Sequence, residues 1–222
     1  MTPLTDAEAA LLDGCCLYGC AEPGSDRDLR GIAAPTRADY LELRRPRERT
    51  VAQGADVQTW GLHHWCDMFA KGSPNAMEVA LLPPSAVVRA DPLGRAAMDA
   101  ARGALHAGFI PHLAHYAHNQ HHMYERGDQP GKRLMHAIRV TRMARVYRET
   151  GRLIVDCRPQ RGRYLAVRQG DLDLGWRWYA REKERLDDAR TILPDHDPDA
   201  LAEAVRPILR MALNRALSDR PA

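Results

Sequence analysis

The sequence changes character near Asp91, and this change constrains the fold more than any other feature. Before it, short apolar runs of strand length alternate with turns, whereas long Ala- and Arg-rich stretches with helical spacing follow it. The proline-containing segment 83–92 lies between the two parts. The pattern predicts an α+β protein, with a sheet domain at residues 1–90 and a helical domain at residues 91–222.

Local patterns predict the individual elements of both parts. Thr5 and Glu8 have the spacing of a capping box, which predicts a short helix over residues 5–13. Apolar runs between turn residues predict strands at 15–18, 28–34 and 75–82, a hairpin at 49–60, one or two helical turns at 36–43 and a helix at 61–71. Helical spacing predicts five longer helices, at 92–107, 110–126, 131–150, 171–190 and 198–217.

A pair of carboxylates is the strongest candidate for a catalytic site. Asp26 and Asp28 follow a glycine-containing turn, at the start of the strand predicted at 28–34. Side chains at i and i+2 of a strand lie on one face, so both carboxylates can bind one cation, and Mg²⁺ prefers such oxygen ligands. Asp56, on a neighbouring strand, is the candidate third ligand. Because residues 171–173 repeat the Asp-x-Asp spacing, a surface turn is the alternative on spacing alone.

Basic residues are concentrated in one segment of the predicted helical part. Residues 126–168 contain 12 Lys or Arg and 3 Asp or Glu, a balance that attracts phosphate-bearing ligands. Within it, Lys132, His136 and Arg139 occur at i, i+4 and i+7 and therefore share one helical face. This face could bind a triphosphate or an acceptor phosphate, or it could be a solvated basic face, and the spacing alone leaves both interpretations open.

Five blocks of the sequence resemble a known family. Ser25 to Gly31 reads S-D-R-D-L-R-G and closely resembles the S-D-x-D-L-R-G signature of a nucleotidyltransferase family. That family belongs to the polymerase β superfamily and is associated with RNA-repair pathways. The other blocks occur in the family's order, at residues 56–82 with Gly72-Ser-Pro-Asn75 and Glu78, then at 132–139, 150–153 and 167–172.

The resemblance implies a polymerase β-like nucleotidyltransferase sheet domain followed by a C-terminal helical domain. It implies metal-dependent transfer of a nucleoside monophosphate from an NTP, such as ATP, to a hydroxyl acceptor, with an RNA end as the expected acceptor. Nucleotidylation of a small molecule or a protein is the alternative among enzymes. A nucleotide- or RNA-binding domain without turnover is the alternative among binding proteins.

The resemblance also assigns roles to individual residues. The ligands of Mg²⁺ or Mn²⁺ in a two-metal phosphoryl transfer would be Asp26, Asp28 and Asp56, and the neighbours of the triphosphate would be Gly19, Cys20 and Ser25. Two features depart from the family. Cys20 replaces the usual Ser, which removes one hydroxyl donor to phosphate, and the loop from Gly19 to Asp26 is shorter and lacks its typical Arg. These departures predict a reduced or altered nucleotide affinity.

The remaining features indicate the setting of the protein. The five cysteines are odd in number and include no C-x-x-C pair, so neither a zinc knuckle nor a disulfide framework is predicted, and a reducing cytoplasm is the expected compartment. No apolar stretch approaches the roughly 20 residues of a membrane span, so no membrane partner is expected. The five histidines between residues 112 and 122 are predicted to wrap around a helix as a polar face. Nothing in the sequence indicates the oligomeric state.

Overall fold

The computed structural model describes residues 8–13, 27–43, 47–52, 55–81, 87–195 and 198–218. These residues form a five-stranded sheet of β1 (Glu8–Asp13), β2 (Arg27–Ala33), β3 (Arg47–Ala52), β4 (Ala55–Gly61) and β5 (Val87–Ala90). The strand order is β3-β4-β2-β1-β5. Strands β2 and β4 run parallel, and the other neighbours run antiparallel. The sheet is therefore mixed, with its parallel pair in the interior of the strand order.

Helices make up most of the remaining described chain. They are α1 (Arg37–Leu41), α2 (Leu62–Ala70), α3 (Pro74–Ala80), α4 (Pro92–Gly103), α5 (Phe109–Glu125), α6 (Pro130–Thr150), α7 (Arg161–Arg168), α8 (Leu172–Asp188) and α9 (Pro198–Ser218). A short 3₁₀ turn at Arg158–Gln160 precedes α7. The mixture of sheet and helix agrees with the α+β prediction, and the five longer helices expected after residue 91 correspond to α4, α5, α6, α8 and α9.

Two predicted elements have the wrong type, and two of the described elements, β5 and α7, were not predicted. The helix predicted over 5–13 is wrong, because Glu8–Asp13 is β1, which pairs with both β2 and β5. Pairing on both sides outweighs a capping pattern, since local propensity is a weak determinant. The strand predicted at 75–82 is also wrong, because Pro74–Ala80 is α3. A short apolar run has no period that separates a buried helix from a strand, although proline suits the first position of a helix.

The hydrophobic core lies between the sheet and the helices. Ile32 and Trp60 are register partners on β2 and β4, and both are almost fully buried. They belong to one apolar cluster that also includes Phe69 of α2, Tyr147 of α6 and Ile208 of α9. This cluster draws on both segments for which separate domains are predicted, and the division into domains stays a prediction.

Helix α6 is the central helix of the described helical part. Ala137, Val140, Ala144 and Tyr147 have the spacing of one helical stripe, and all four are buried. The helix ends at Gly151, whose φ of 67° is a left-handed conformation that glycine adopts without strain. Helices α5, α7 and α8 pack around α6, and a second apolar cluster fills the space between α6, α7 and α8. No helix in the described part of the chain has both the length and the apolar character needed to cross a bilayer.

Candidate active site

The two parallel strands bring together two of the predicted metal ligands. Strands β2 and β4 pair in register from Arg27 with Ala55 to Ala33 with Gly61, and Asp28 is the register partner of Asp56. Since neighbouring strands lie roughly 4.8 Å apart, these are adjacent backbone positions. Asp26 lies outside the described residues, as do the predicted triphosphate neighbours Gly19, Cys20 and Ser25. The assignment of all six to a metal and nucleotide site therefore stays a prediction.

The adjacent aspartate positions lie at the starting end of the two strands. Alternate residues of a strand share a face, so position 28 belongs to the face of Ile32, and position 56 belongs to the face of Trp60. Ile32 and Trp60 are buried under the helices. The acidic positions therefore lie on the helix-covered face of the sheet, four residues before its apolar core.

Helix α3 connects this part of the sheet to α6. Nη1 of Arg30, between positions 28 and 32 on β2, donates a hydrogen bond of 2.6 Å to Oδ1 of Asn75 on α3. One turn later on α3, the Glu78 carboxylate pairs with the Arg139 guanidinium of α6 at 2.5 Å. Both members of this pair are buried, with side-chain exposures of 1% and 6%. We name Arg30, Asn75, Glu78 and Arg139 the α3 bridge.

The α3 bridge shows where the structure places one of the predicted phosphate ligands. Arg139 is enclosed and has Glu78 as a partner, which makes it a buried cation rather than a solvated one. The sequence pattern predicts a strand at Glu78, and the partner of this residue lies 61 positions away. No local pattern indicates such a pair, although both residues fall inside the blocks that resemble the family.

His136 lies one turn before Arg139 on α6, in strongly positive surroundings. Its Nδ1 atom is buried and has no hydrogen-bond partner among the described residues. Burial, and then repulsion by Arg139, Lys132, Arg133 and Arg168, lowers the pKa of His136 to about 3. The imidazole is therefore neutral at physiological pH, and the positive potential at this site comes from its neighbours.

Arg168 is a residue of this site that the sequence reasoning missed. A Cβ atom on Gly131 would lie 2.5 Å from the backbone oxygen of Arg168, so only glycine allows the end of α7 to pack against the first turn of α6. This contact places Arg168 near Lys132, and both side chains are exposed. The available signal was the position of Arg168 inside the basic segment 126–168.

The histidines of helix α5 are mostly exposed. His112, His115, His118 and His122 are exposed, whereas His121 is buried and stacks on Tyr179 of α8 with ring centroids 4.5 Å apart. Among the residues whose side chains the structure describes, no three or more His, Cys, Asp or Glu residues form a group that could hold a metal ion. The candidate chemistry therefore stays with the aspartates of β2 and β4.

Comparison with known proteins identifies the family. The sequence pattern of the RNA repair pathway DNA polymerase beta family, RlaP, matches residues 10–155. No curated protein matches the chain. A solved structure from Exiguobacterium sibiricum 255-15, described as a nucleotidyltransferase-like protein, is 11% identical and covers 98% of this chain and 77% of its own, with a TM-score of 0.26, too low to support a structural argument. The family match spans more than half of the chain and includes the Asp28–Asp56 pair and the α3 bridge, and the protein thus belongs to the RNA repair pathway DNA polymerase beta family.

Proposed function

We propose that the protein is a metal-dependent nucleotidyltransferase that moves a nucleoside monophosphate from an NTP to a hydroxyl acceptor, and that the acceptor is an RNA end. The observation that carries the proposal is the register pairing of Asp28 with Asp56 on parallel strands. Membership of a polymerase β-type family supports the reaction class. The family's description supports RNA as the acceptor.

The donor set fits a hard divalent cation. Asp26, Asp28 and Asp56 are all carboxylates, which suit Mg²⁺ or Mn²⁺ better than a soft metal. The neighbouring backbone positions of Asp28 and Asp56 suit ligands of a common site. When bound by these residues, the cations would neutralise phosphate charge and align the attacking and leaving oxygens.

The proposed reaction divides the work between the chain's residues. The acceptor hydroxyl oxygen forms a bond to the α-phosphorus, and the bond from that phosphorus to the pyrophosphate oxygen breaks with its electron pair. Asp56 accepts the proton of the attacking hydroxyl group. Gly19, Cys20 and Ser25 would contact the triphosphate. Catalysis of this kind depends mostly on positioning and charge stabilisation.

On the face of Lys132, His136 and Arg139, the positive charge in this proposal belongs to Lys132 and Arg139, because His136 is neutral. Lys132 is exposed and can donate directly to a phosphate oxygen. Arg139 also links α6 to the sheet through the α3 bridge. Its partner Glu78 lies on the same helix as Asn75, and Asn75 accepts a hydrogen bond from Arg30 of β2. The bridge therefore fixes the separation between the aspartates and the cations of α6. We assign Asn75 and Glu78 as positioning residues.

The second candidate is a nucleotide- or RNA-binding domain of the same fold without turnover. Cys20 and the shortened loop before Asp26 favour it, because each removes a contact to phosphate that the family pattern contains. The two candidates make the same prediction for binding and opposite predictions for the release of pyrophosphate.

One experiment separates these candidates. The protein is incubated with labelled NTPs, Mg²⁺ or Mn²⁺ and a mixed pool of short RNAs, and both pyrophosphate release and labelled RNA are measured. Metal-dependent release is expected, and it should disappear in Asp56→Asn. The matched control is Asp173→Asn, which removes an exposed carboxylate from the second Asp-x-Asp sequence. NTP binding without any release would instead establish the binding domain.

A further inference from the structure

We propose that the exposed cations Lys132, Arg161 and Arg168 bind the phosphodiester backbone of a single-stranded RNA acceptor. We name these three residues the α6–α7 patch. The inference rests on the proposed nucleotidyltransferase function and adds to it a subsite for the acceptor strand. Arg161 and Arg168 belong to α7, which the sequence reasoning did not predict.

The geometry of α6 and α7 places these cations on one surface. The end of α7 packs on Gly131, which brings Arg168 near Lys132. Arg161 and Arg168 are the first and last residues of α7, and a spacing of seven residues returns to nearly the same helical face. Tyr164, one turn from each arginine, and Val167 are buried against the rest of the protein, so the exposed Arg161 and Arg168 lie at the two ends of the packed side of α7.

No carboxylate of the described residues neutralises the charge of Lys132 or Arg168. Two nearby arginines do have acidic partners, since Arg139 pairs with Glu78 at 2.5 Å and Arg133 pairs with Asp128 at 2.6 Å. Within the described ranges, no carboxylate lies within ion-pair distance of Lys132 or Arg168. Helix α7 itself contains no acidic residue. These two cations therefore keep their positive charge.

His136 lies within this group of cations. Its ring lies among Lys132, Arg139 and Arg168, and burial together with repulsion by these cations lowers the pKa of His136 to about 3. A positive surface of this kind raises the local concentration of polyanions. It attracts them without reading their sequence, as backbone-binding grooves for single strands do.

The dimensions of the patch favour a strand over a single phosphate group. Arg161 and Arg168 are separated by roughly 10 Å along the axis of α7, given a rise of about 1.5 Å per residue. At this spacing each arginine can contact a different phosphate of the same strand. The α3 bridge joins the helix that carries Lys132 to the strand that carries Asp28, so an acceptor on the patch would be held on the same scaffold as the proposed catalytic residues.

The test uses a fluorescein-labelled single-stranded RNA of about 12 nucleotides, within the range that single-strand sites cover. Its affinity for the full-length protein is measured by fluorescence anisotropy over a range of salt concentrations. The double variant Arg161→Ala/Arg168→Ala should bind more weakly, to the same degree for A-rich and U-rich strands. For this variant, the slope of log affinity against log salt concentration should become less negative by about 1.4. Each phosphate contact on a single strand contributes roughly 0.7 to the size of that slope.

Two further variants control this experiment. Arg210→Ala removes an exposed arginine from α9 and should bind RNA as the unmodified protein does. Arg168→Lys keeps the charge and should retain most of the affinity. The inference is overturned if the double variant binds like the unmodified protein, or if Arg210→Ala weakens binding equally.

The same proteins are tested for binding of Mg²⁺-NTP and for nucleotidyl transfer, so that failure of this inference is distinguished from failure of the proposed function. If RNA binding depends on the α6–α7 patch but the protein shows no transfer activity, the subsite is supported and the enzymatic proposal is contradicted. If the protein shows transfer activity but RNA binding does not depend on the α6–α7 patch, the subsite is contradicted and the enzymatic proposal is supported.

Discussion

Glu78 of α3 and Arg139 of α6 form an ion pair of 2.5 Å whose members are 1% and 6% exposed. Removing one member of a buried pair leaves an uncompensated charge, which typically costs about 3–5 kcal/mol. We therefore expect Glu78→Ala to lower the free energy of unfolding by that amount in urea titrations. Asp99→Ala, which breaks the exposed pair with Arg102, should change it by less than about 1 kcal/mol.

A double replacement of the same pair separates stability from function. Glu78→Leu with Arg139→Met removes both charges and fills the site with apolar atoms, a change that is often neutral for a buried pair. The double variant should regain most of the stability lost in Glu78→Ala. If Arg139 also provides positive potential for phosphate, the double variant should bind NTP more weakly than the unmodified protein does, despite its recovered stability. Full recovery of both would reduce the pair to a structural role.

Asp28→Asn should abolish nucleotidyl transfer without unfolding the protein. Asparagine keeps the size of the side chain but removes the negative charge that holds a divalent cation. Like charges repel by ~4 kcal/mol at 4 Å with an effective dielectric constant of about 20, so the melting temperature without metal should be equal or higher. The rise in melting temperature on adding Mg²⁺ should shrink at the same time. A fully active variant, or one that unfolds, would contradict the assignment of Asp28 as a metal ligand.

The depressed pKa of His136 predicts how stability depends on pH. Its folded-state pKa of about 3 lies below its ordinary value of 6.5, so the unfolded chain binds more protons between these two values. Stability contributed by the neutral ring is therefore present above pH 6.5 and is lost as pH falls toward 3. His136→Gln should flatten this part of the profile in thermal melts at several pH values. An unchanged slope would show that the ring titrates normally.

Two glycines in this region should respond to alanine in opposite ways. In Gly131→Ala the new methyl would meet the backbone oxygen of Arg168, and such overpacking typically costs about 1–3 kcal/mol. Gly162, within α7, has open space where a methyl group would project, so Gly162→Ala should stabilise the helix by up to about 1 kcal/mol. Thermal melts of the two variants check the signs. A stabilised Gly131→Ala would mean that α7 does not pack closely on α6.

Local sequence signals predicted those elements whose stability is itself local. Thr36 caps α1 and forms a reciprocal capping box with Asp39, inside the segment expected to be helical. The hairpin predicted at 49–60 forms as β3 and β4, and the longer helices appear within a few residues of their predicted limits. In each case the pattern of apolar and capping residues contains most of the information.

The remaining features depend on contacts between distant segments. Glu8–Asp13 becomes a strand only because β2 and β5 lie on either side of it. The sequence predicted a common site for Asp28 and Asp56, and their adjacency follows from the parallel register. In contrast, the role of Gly131 appears only when the carbonyl groups at the end of α7 are in place. Such contacts have no periodic signature in a single sequence.

The pairing of Ile32 with Trp60 has a consequence for how the gene can change. Trp60 and Asp56 are four residues apart on β4, an even spacing that assigns both to one face of the sheet. A one-codon insertion or deletion between them makes the spacing odd, and the buried tryptophan would then force the aspartate position to the opposite face. Substitutions between these two residues and length changes by an even number of residues keep both positions on one face, whereas length changes by an odd number do not. The buried position of Trp60 therefore constrains the number of residues between it and Asp56.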